Sequence, residues 1–344
     1  MLELAGIGPA PFACMVLADL GADVVRVERP GGTDSVLGPE HDILLRGRAQ
    51  RLVLDARDTA ARTELLGQVA RADVLVESFR PGVTERLGLG PNDCAAVNPG
   101  LIYARMTGWG QTGPRSREAG HDITYLAVTG ALSLMGEPGR RPIVPLNLVA
   151  DFGGGAMPLV VGVLAGLLNR ARTGKGCVVD AAMVDGVCQQ LAMVQGARQG
   201  GSWVDRRASN LLDGGAPFYD TYICSDGEFL AVGALEPRFY AAFLAGLHAE
   251  LGSEVTTANW PLQYDRPSWP KLRALLAGAL LRRSRDQWEQ RFDGTDACVA
   301  GVRRVDEAIC DPHLTARGTW TTTAQAGGGS RIEPAPAPRL SPLT

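Results

Sequence analysis

The chain has 344 residues, of which 45% are hydrophobic and 21% charged, and its formal net charge is −3. This composition is sufficient to bury one large core or two smaller ones. The mild negative charge and the lack of a long basic run disfavour binding to nucleic acid or to an anionic membrane.

The cysteine pattern and the chain ends indicate the cellular compartment in which the protein is expected. Seven cysteines are dispersed without C-x-x-C or paired metal spacing, namely Cys14, Cys94, Cys177, Cys188, Cys224, Cys298 and Cys310. An odd, dispersed set is typical of reduced thiols in a cytosolic protein. The apolar stretch 156–168 is short for a membrane span and carries Pro158, and the N-terminus lacks a secretory signal pattern. We therefore expect a soluble cytoplasmic protein without a metal site.

The first third of the chain predicts a parallel sheet with helices on its faces, because strands and helices alternate. The predicted elements are a strand at 2–4, a Gly-Pro turn, a helix over 12–20, strands at 22–28 and 51–55, a helix over 60–72, and strands at 73–77 and 101–106. The segment from Gly6 to Pro11 lacks the third glycine of G-x-G-x-x-G, so a classical NAD site is not expected.

The rest of the chain predicts a small α+β domain inserted into a larger α/β domain. Its elements are an apolar helix over 156–170, a strand at 177–180, a hairpin of strands 221–224 and 229–232, helices over 238–251, 269–281 and 285–292, and a strand at 297–300. We assign residues 1–181 and 323–344 to the large domain, 214–305 to the small domain, and 182–213 and 306–322 to linkers.

The most informative chemical feature is the motif Gly120-His121-Asp122-Ile123 together with Asp151 and the three glycines that follow it. Histidine titrates near neutrality, and a carboxylate partner can orient and tune it. Asp151 precedes an apolar helix, whose free N–H groups can stabilise developing negative charge. Two proton-transfer groups beside an anion hole suit chemistry that removes a proton next to a carbonyl and returns one.

Each of these residues also has a simpler interpretation. A histidine beside an aspartate is often structural, Asp151 can be an N-cap, and Glu236 can cap a helix ahead of Pro237. The three glycines can serve close helix packing instead of an anion hole. Any single arginine can be a solvated surface charge.

Several motifs together point to a known family. They are ELAGIGPAPF at 3–12 with LGADVVRVERP at 20–30, MTGWGQTGP at 106–114 with GHDI at 120–123, LNLVADFGGG at 146–155, DGGAPFYD at 213–220 with VGALEPRFY at 232–240, and GTDACV at 294–299. On these residues the chain resembles the family III CoA-transferase (CaiB/BaiF-like) superfamily, and within it the α-methylacyl-CoA racemases.

The resemblance implies an isomerase of fatty acid metabolism that interconverts (R)- and (S)-2-methylacyl-CoA thioesters by 1,1-proton transfer through an enolate. His121 looks like one acid/base with Glu236 as its orienting partner, and Asp151 looks like the other on the opposite face of the substrate. Asp122 is similar to the second acid of the racemase motif. No external cofactor is implied, since CoA is part of the substrate.

The resemblance also implies the CoA site and the assembly. Arg29, Arg57, Arg80 and Arg86 match basic positions that hold the adenine and phosphates of CoA, and arginine binds phosphate bidentately. The fold implied is a large Rossmann-like parallel-sheet domain plus a small α+β domain in an interlocked homodimer, in which Glu236 reaches His121 across subunits. The chain starts later and ends sooner than the resemblance leads us to expect, so fewer dimer contacts are expected.

Two alternatives stay open. A family III CoA-transferase would use Asp151 as a nucleophile that forms acyl-anhydride and thioester intermediates. His121 argues against this, because that chemistry needs no general base on the opposite face. The other alternative is a CoA-binding protein that has lost catalysis.

Overall fold

The computed structural model describes residues 1–32, 43–252, 256–324 and 328–343. The strands are β1 (Leu2–Leu4), β2 (Val24–Glu28), β3 (Arg48–Val53), β4 (Val74–Glu77), β5 (Ile102–Thr107), β6 (Cys177–Ala182), β7 (Tyr219–Ile223), β8 (Phe229–Gly233), β9 (Val299–Gly301), β10 (Trp320–Ala324) and β11 (Ser330–Pro334). The α-helices are α1 (Pro9–Asp19), α2 (Thr59–Val69), α3 (Val83–Arg86), α4 (Pro91–Val97), α5 (Asp122–Thr129), α6 (Met157–Thr173), α7 (Met183–Gln190), α8 (Ala192–Gln199), α9 (Pro237–Leu251), α10 (Trp269–Leu280), α11 (Arg285–Phe292), α12 (Val305–Ile309) and α13 (Pro312–Ala316).

The chain forms two compact units. The first comprises Met1–Leu132, Val144–Met193 and Gly318–Thr344, and the second comprises Ser133–Ile143 and Val194–Arg317. We call them the first and second units below.

Six described strands of the first unit form a parallel sheet in the order β3-β2-β1-β4-β5-β6. Strand order reverses between β1 and β4, and ligands of open α/β sheets bind at such switch points, outside the carboxyl ends of the strands. The loops after these two strands approach closely there, because a Cβ on Gly6 would lie 2.0 Å from Ser78 Oγ. The predicted Rossmann-like parallel sheet of the large α/β domain is confirmed.

The central strands β1, β4 and β5 are buried on both faces of the sheet, as is usual in parallel sheets. On one face Val76, Ile102 and Ala104 pack in a cluster with residues of α1 and α6. On the other face Leu75 and Tyr103 pack in a cluster with Leu65 and Val69 of α2 and Cys94 of α4. This two-sided burial fixes the sheet and therefore the loops at its carboxyl edge.

The apolar helix is longer than the sequence pattern predicted. A π-helix (Leu148–Ala156) runs directly into α6, so the helical segment Leu148–Thr173 spans 26 residues and is long and apolar enough to cross a membrane by length and composition. The expectation that no apolar segment reaches that length was therefore wrong. One such helix is weak evidence for a span, since core helices pass the same test, and Leu159, Val160 and Val163 are buried in the core of the first unit.

The second unit contains a three-stranded antiparallel sheet of β7, β8 and β9. Its hydrophobic core contains Phe218, Leu230, Phe243 and Trp288, which are all fully buried. The predicted hairpin and small α+β fold are thus confirmed. In the tail of the chain, β10 and β11 form an antiparallel pair.

Candidate functional site

His121 is the N-cap residue of α5 and has extended backbone geometry, with φ −139 and ψ 168. Its N–H donates to Thr124 Oγ1 at 3.0 Å, and its carbonyl accepts from the N–H of Thr124 at 2.8 Å. These local bonds fix the backbone at the helix start, while the side chain of His121 is exposed. The backbone of His121 is thus fixed, and its imidazole remains accessible.

Asp122 connects this helix start to a distant segment. Its side chain is only 6% exposed, and its Oδ2 accepts from the N–H groups of Ala150 at 2.9 Å and Asp151 at 2.8 Å. Both N–H groups lie in the first turn of the π-helix, where intrahelical acceptors are lacking. Among the described residues, the buried Oδ1 has no hydrogen-bond partner. Asp122 therefore fixes the backbone of Asp151 relative to α5.

Asp151 is half-buried, and its carboxylate accepts a long hydrogen bond of 3.4 Å from Asn147 Nδ2. Burial raises the pKa of Asp151 above its usual range, and the charge of Asp122 adds to this, while Asn147 and the charge of His121 oppose it. His121 thus lies close enough to Asp151 for their charges to interact. The structure brings His121, Asp122 and Asp151 into one cluster in the first unit.

The glycines after Asp151 lie inside the π-helix and allow α7 to pack closely. A Cβ on Gly186 of α7 would lie 1.9 Å from the Gly154 carbonyl oxygen, and one on Gly154 would lie 2.8 Å from Val187 Cγ2. Close helix packing is therefore one role of these glycines. The N–H groups of Ala150 and Asp151 bind Asp122, so an anion hole at this helix start stays a prediction.

Tyr125 is part of the site and was not predicted. It is buried, packs edge-on against Trp109 with ring centroids 4.8 Å apart, and fits only because Gly108 and Gly120 lack side chains. Burial raises the pKa of Tyr125 to about 12, and the nearby charge of Asp151 contributes. It lies in α5, the helix that begins directly after His121, and this closeness to the GHDI motif is the signal that the sequence contained.

The predicted CoA arginines are exposed side chains of the first unit. Arg57 binds Asp55 through Nη2 at 2.7 Å, and this contact lowers the pKa of Asp55 to about 2. Arg29 Nε donates to the Gly32 carbonyl at 2.9 Å. The charge of Arg80 partly opposes the rise in the pKa of Tyr125. Contacts of Arg29, Arg57, Arg80 and Arg86 with phosphate stay predictions.

Glu236 lies in the second unit, as the N-cap residue of α9 with Pro237 at the first helical position. The carboxylate is exposed and makes no capping hydrogen bond. Its pairing with His121 stays a prediction. Within the described ranges, no group of three or more His, Cys, Asp or Glu side chains is arranged to hold a metal ion.

The first unit is thus a doubly wound α/β fold that carries a histidine and two aspartates in one cluster. The model of CoA-transferase family III matches residues 1–342, and the chain belongs to this family. The chain is 44% identical to the alpha-methylacyl-CoA racemase of Mus musculus and 42% identical to that of Homo sapiens, each over 99% of this chain and 85% of the relative. Its fold is similar to the crystal structure of a CAIB/BAIF family protein from Brucella suis, with a TM-score of 0.77 and 26% identity over 98% of this chain and 94% of that one. The resemblance predicted from the motifs is confirmed.

Proposed function

We propose that this protein is an α-methylacyl-CoA racemase that interconverts (R)- and (S)-2-methylacyl-CoA thioesters. The observation that carries the proposal is the cluster in which Asp122 holds the backbone of Asp151 beside His121. The identity of 44% to a racemase over 99% of the chain supports it.

The chemistry is a two-base proton transfer. Asp151 accepts the α-proton of one enantiomer, the C–H electron pair moves into the enolate oxygen, and the protonated imidazole of His121 gives a proton to the opposite face of the carbon. The reverse reaction starts with protonated Asp151 and neutral His121. The raised pKa of Asp151 makes its carboxylate a stronger base than an exposed aspartate.

Substrate binding and the remaining site residues complete the proposal. CoA enters as part of the substrate, so no external cofactor is required. Arg29, Arg57, Arg80 and Arg86 hold its nucleotide and phosphates, and Glu236 orients His121. N–H groups at the start of the π-helix other than those of Ala150 and Asp151, which bind Asp122, stabilise the enolate oxygen.

A CoA-transferase that uses Asp151 as nucleophile is the competing function. The two are separated by incubating one enantiomer of a 2-methylacyl-CoA with the protein, with and without a carboxylic acid acceptor, and analysing chirality and CoA transfer. We expect the opposite enantiomer to appear in both cases. Transfer of CoA to the acceptor without inversion, together with trapping of an acyl-enzyme by hydroxylamine, would establish the transferase.

We also propose a homodimer in which Glu236 of the partner subunit reaches His121. A row of exposed apolar side chains on α6 supports a protein interface, with Val161 63%, Leu164 45% and Leu168 66% exposed. Sedimentation equilibrium on the intact protein measures this directly, and a single species of monomer mass would overturn the proposal.

We further propose that the protein works in the cytoplasm without a membrane or nucleic-acid partner. All seven cysteines are free thiols, which supports a reducing compartment, and the net charge of −3 does not favour polyanions. Cell fractionation tests this assignment.

Asn147→Ala is expected to move the acid limb of activity to higher pH. The Asn147 amide stabilises the ionised carboxylate and so lowers the pKa of Asp151, and its removal raises that pKa further. For the enantiomer whose α-proton Asp151 accepts, kcat/KM then begins to rise only at higher pH. The measurement is a pH profile of kcat/KM for both variants, with Asn169→Ala, an exposed helical asparagine, as the control. Superimposable acid limbs in wild type and Asn147→Ala would contradict this account.

A further inference from the structure

A buried ion pair lies near the carboxyl ends of two central strands. Glu77 of β4 and Arg105 of β5 are register partners, and they are 0% and 6% exposed. Arg105 Nε donates to Glu77 Oε1 at 2.7 Å, and Arg105 Nη1 donates to Glu85 Oε1 at 2.8 Å. Removing charges from water is costly, so a buried ion pair is retained only where both partners are held in place.

These contacts tie both ends of one loop to one guanidinium. At the start of the loop, the second carboxylate oxygen of Glu77 accepts from the Phe79 N–H at 2.7 Å. At its end, Glu85 lies in α3 and packs against Gly90, where a Cβ would lie 2.8 Å from Glu85 Cγ. Arg105 therefore closes the base of the segment 78–84, which we call the arginine loop because it carries Arg80.

Two of the four arginines that we assign to CoA, Arg80 and Arg86, lie in the arginine loop or just after it. Arg80 lies within it, and Arg86 follows Glu85 directly, with its Nη1 3.3 Å from the position of a Cβ on Gly82. Gly82 has φ +83, a left-handed conformation that glycine adopts without strain. The backbone that carries Arg80 and Arg86 is thus fixed through the bonds of Arg105 to Glu77 and Glu85.

We infer that Arg105 is a positioning residue that preorganises the arginine loop for the phosphates of CoA, without itself touching the substrate. The inference rests on the proposed function. An ordered loop loses less conformational entropy on binding, so the network lowers the dissociation constant. A planar guanidinium can bridge two carboxylates in fixed directions, which a lysine ammonium cannot do with the same geometry.

The test is Glu85→Ala, which removes the partner of Arg105 Nη1 but leaves the bond from Arg105 Nε to Glu77 in place. We expect KM for 2-methylacyl-CoA to rise about three- to tenfold with kcat unchanged. The same acyl group on pantetheine lacks the nucleotide phosphates, so its kinetics should not change. Arg105→Lys, which keeps a charge beside Glu77, should give the same selective rise. Asp73→Asn is the matched control, since it removes an exposed ion pair with Arg170 at the other end of β4.

The outcomes separate this inference from the proposed function. Unchanged KM for the CoA thioester in Glu85→Ala, or an equal rise for both thioesters, would overturn the positioning role while racemisation by the wild type stands. If the wild type does not racemise, the proposed function fails, and calorimetric titration with CoA alone then decides the inference. Weaker CoA binding in Glu85→Ala than in wild type and Asp73→Asn supports it, and equal binding refutes it.

Discussion

Asp151→Asn and His121→Gln are each expected to lower the rate of racemisation about 100- to 10,000-fold, the range typical of losing a positioned general acid or base. The two variants should differ in which enantiomer they can still deprotonate. With only one base left, the enantiomer whose α-proton faces that base can still be deprotonated and reprotonated on the same face. Each variant should therefore exchange the α-proton of one enantiomer with retention, and the two variants should select opposite enantiomers.

The measurement follows deuterium incorporation and chirality separately for each enantiomer in each variant. His248→Gln is a suitable control, since His248 is an exposed histidine of α9 in the second unit. Loss of activity in Asp151→Asn with full racemisation in His121→Gln would contradict the two-base assignment. That pattern would instead indicate that Asp151 is the single base and that the enolate is reprotonated on either face without His121.

Gly186→Ala is expected to destabilise the protein by about 1–3 kcal/mol, the usual range for overpacking a buried contact. The added methyl group would meet the Gly154 carbonyl oxygen at 1.9 Å and the Gly154 carbonyl carbon at 2.7 Å. Both are backbone atoms, so the clash cannot be relieved by a side-chain rotation. Either α7 or the π-helix must move, and movement of the π-helix would displace Asp151 and lower activity as well.

Gly67→Ala provides the matched comparison, because Gly67 lies in α2 and a Cβ there meets no atom within 4 Å. Replacing a helical glycine by alanine is expected to stabilise the protein by about 0.5–1 kcal/mol. Urea unfolding of both variants and wild type gives the two free energies of unfolding. Equal stability of Gly186→Ala and Gly67→Ala would show that the α7 contact tolerates a side chain.

The sheet could be predicted because its signals are local. Alternating short apolar strands and helices dictate parallel pairing through right-handed crossovers, and the strands at 73–77 and 101–106 correspond to β4 and β5. The exact ends of the strands, by contrast, depend on how neighbouring strands pair. The strand expected at 51–55 begins at Arg48, where it pairs with Val24 of β2 across a register irregularity that the sequence pattern does not reveal.

The π-helix shows why the site could be predicted only in part. The run from Gly153 to Gly155 resembles a loop before a helix, and helix propensity alone disfavours it. In the structure, contact with α7 compensates, since Gly154 and Gly155 are buried there. Asp151 therefore lies inside the first turn of a continuous helix, and that continuity also explains why the apolar segment is longer than expected.

Contacts between distant segments account for the hydrogen bonds and ion pairs that the sequence did not reveal. Asp122 binds N–H groups 28 and 29 residues away, and Arg105 binds Glu77 across 28 residues. No local pattern encodes such pairs. Asn147 is different, because it lies four residues before Asp151, and a polar pair at this spacing faces the same side of a helix.

The measurement that tests the central claim most directly is α-proton exchange by the wild-type protein in deuterated water. Each enantiomer of a 2-methylacyl-CoA is incubated separately, and deuterium at the α-carbon is followed together with chirality. We predict deuterium incorporation with inversion from both enantiomers, ending in the same racemic mixture. Absence of exchange from either enantiomer, with CoA transferred to an added carboxylic acid, would contradict the racemase and make Asp151 a nucleophile.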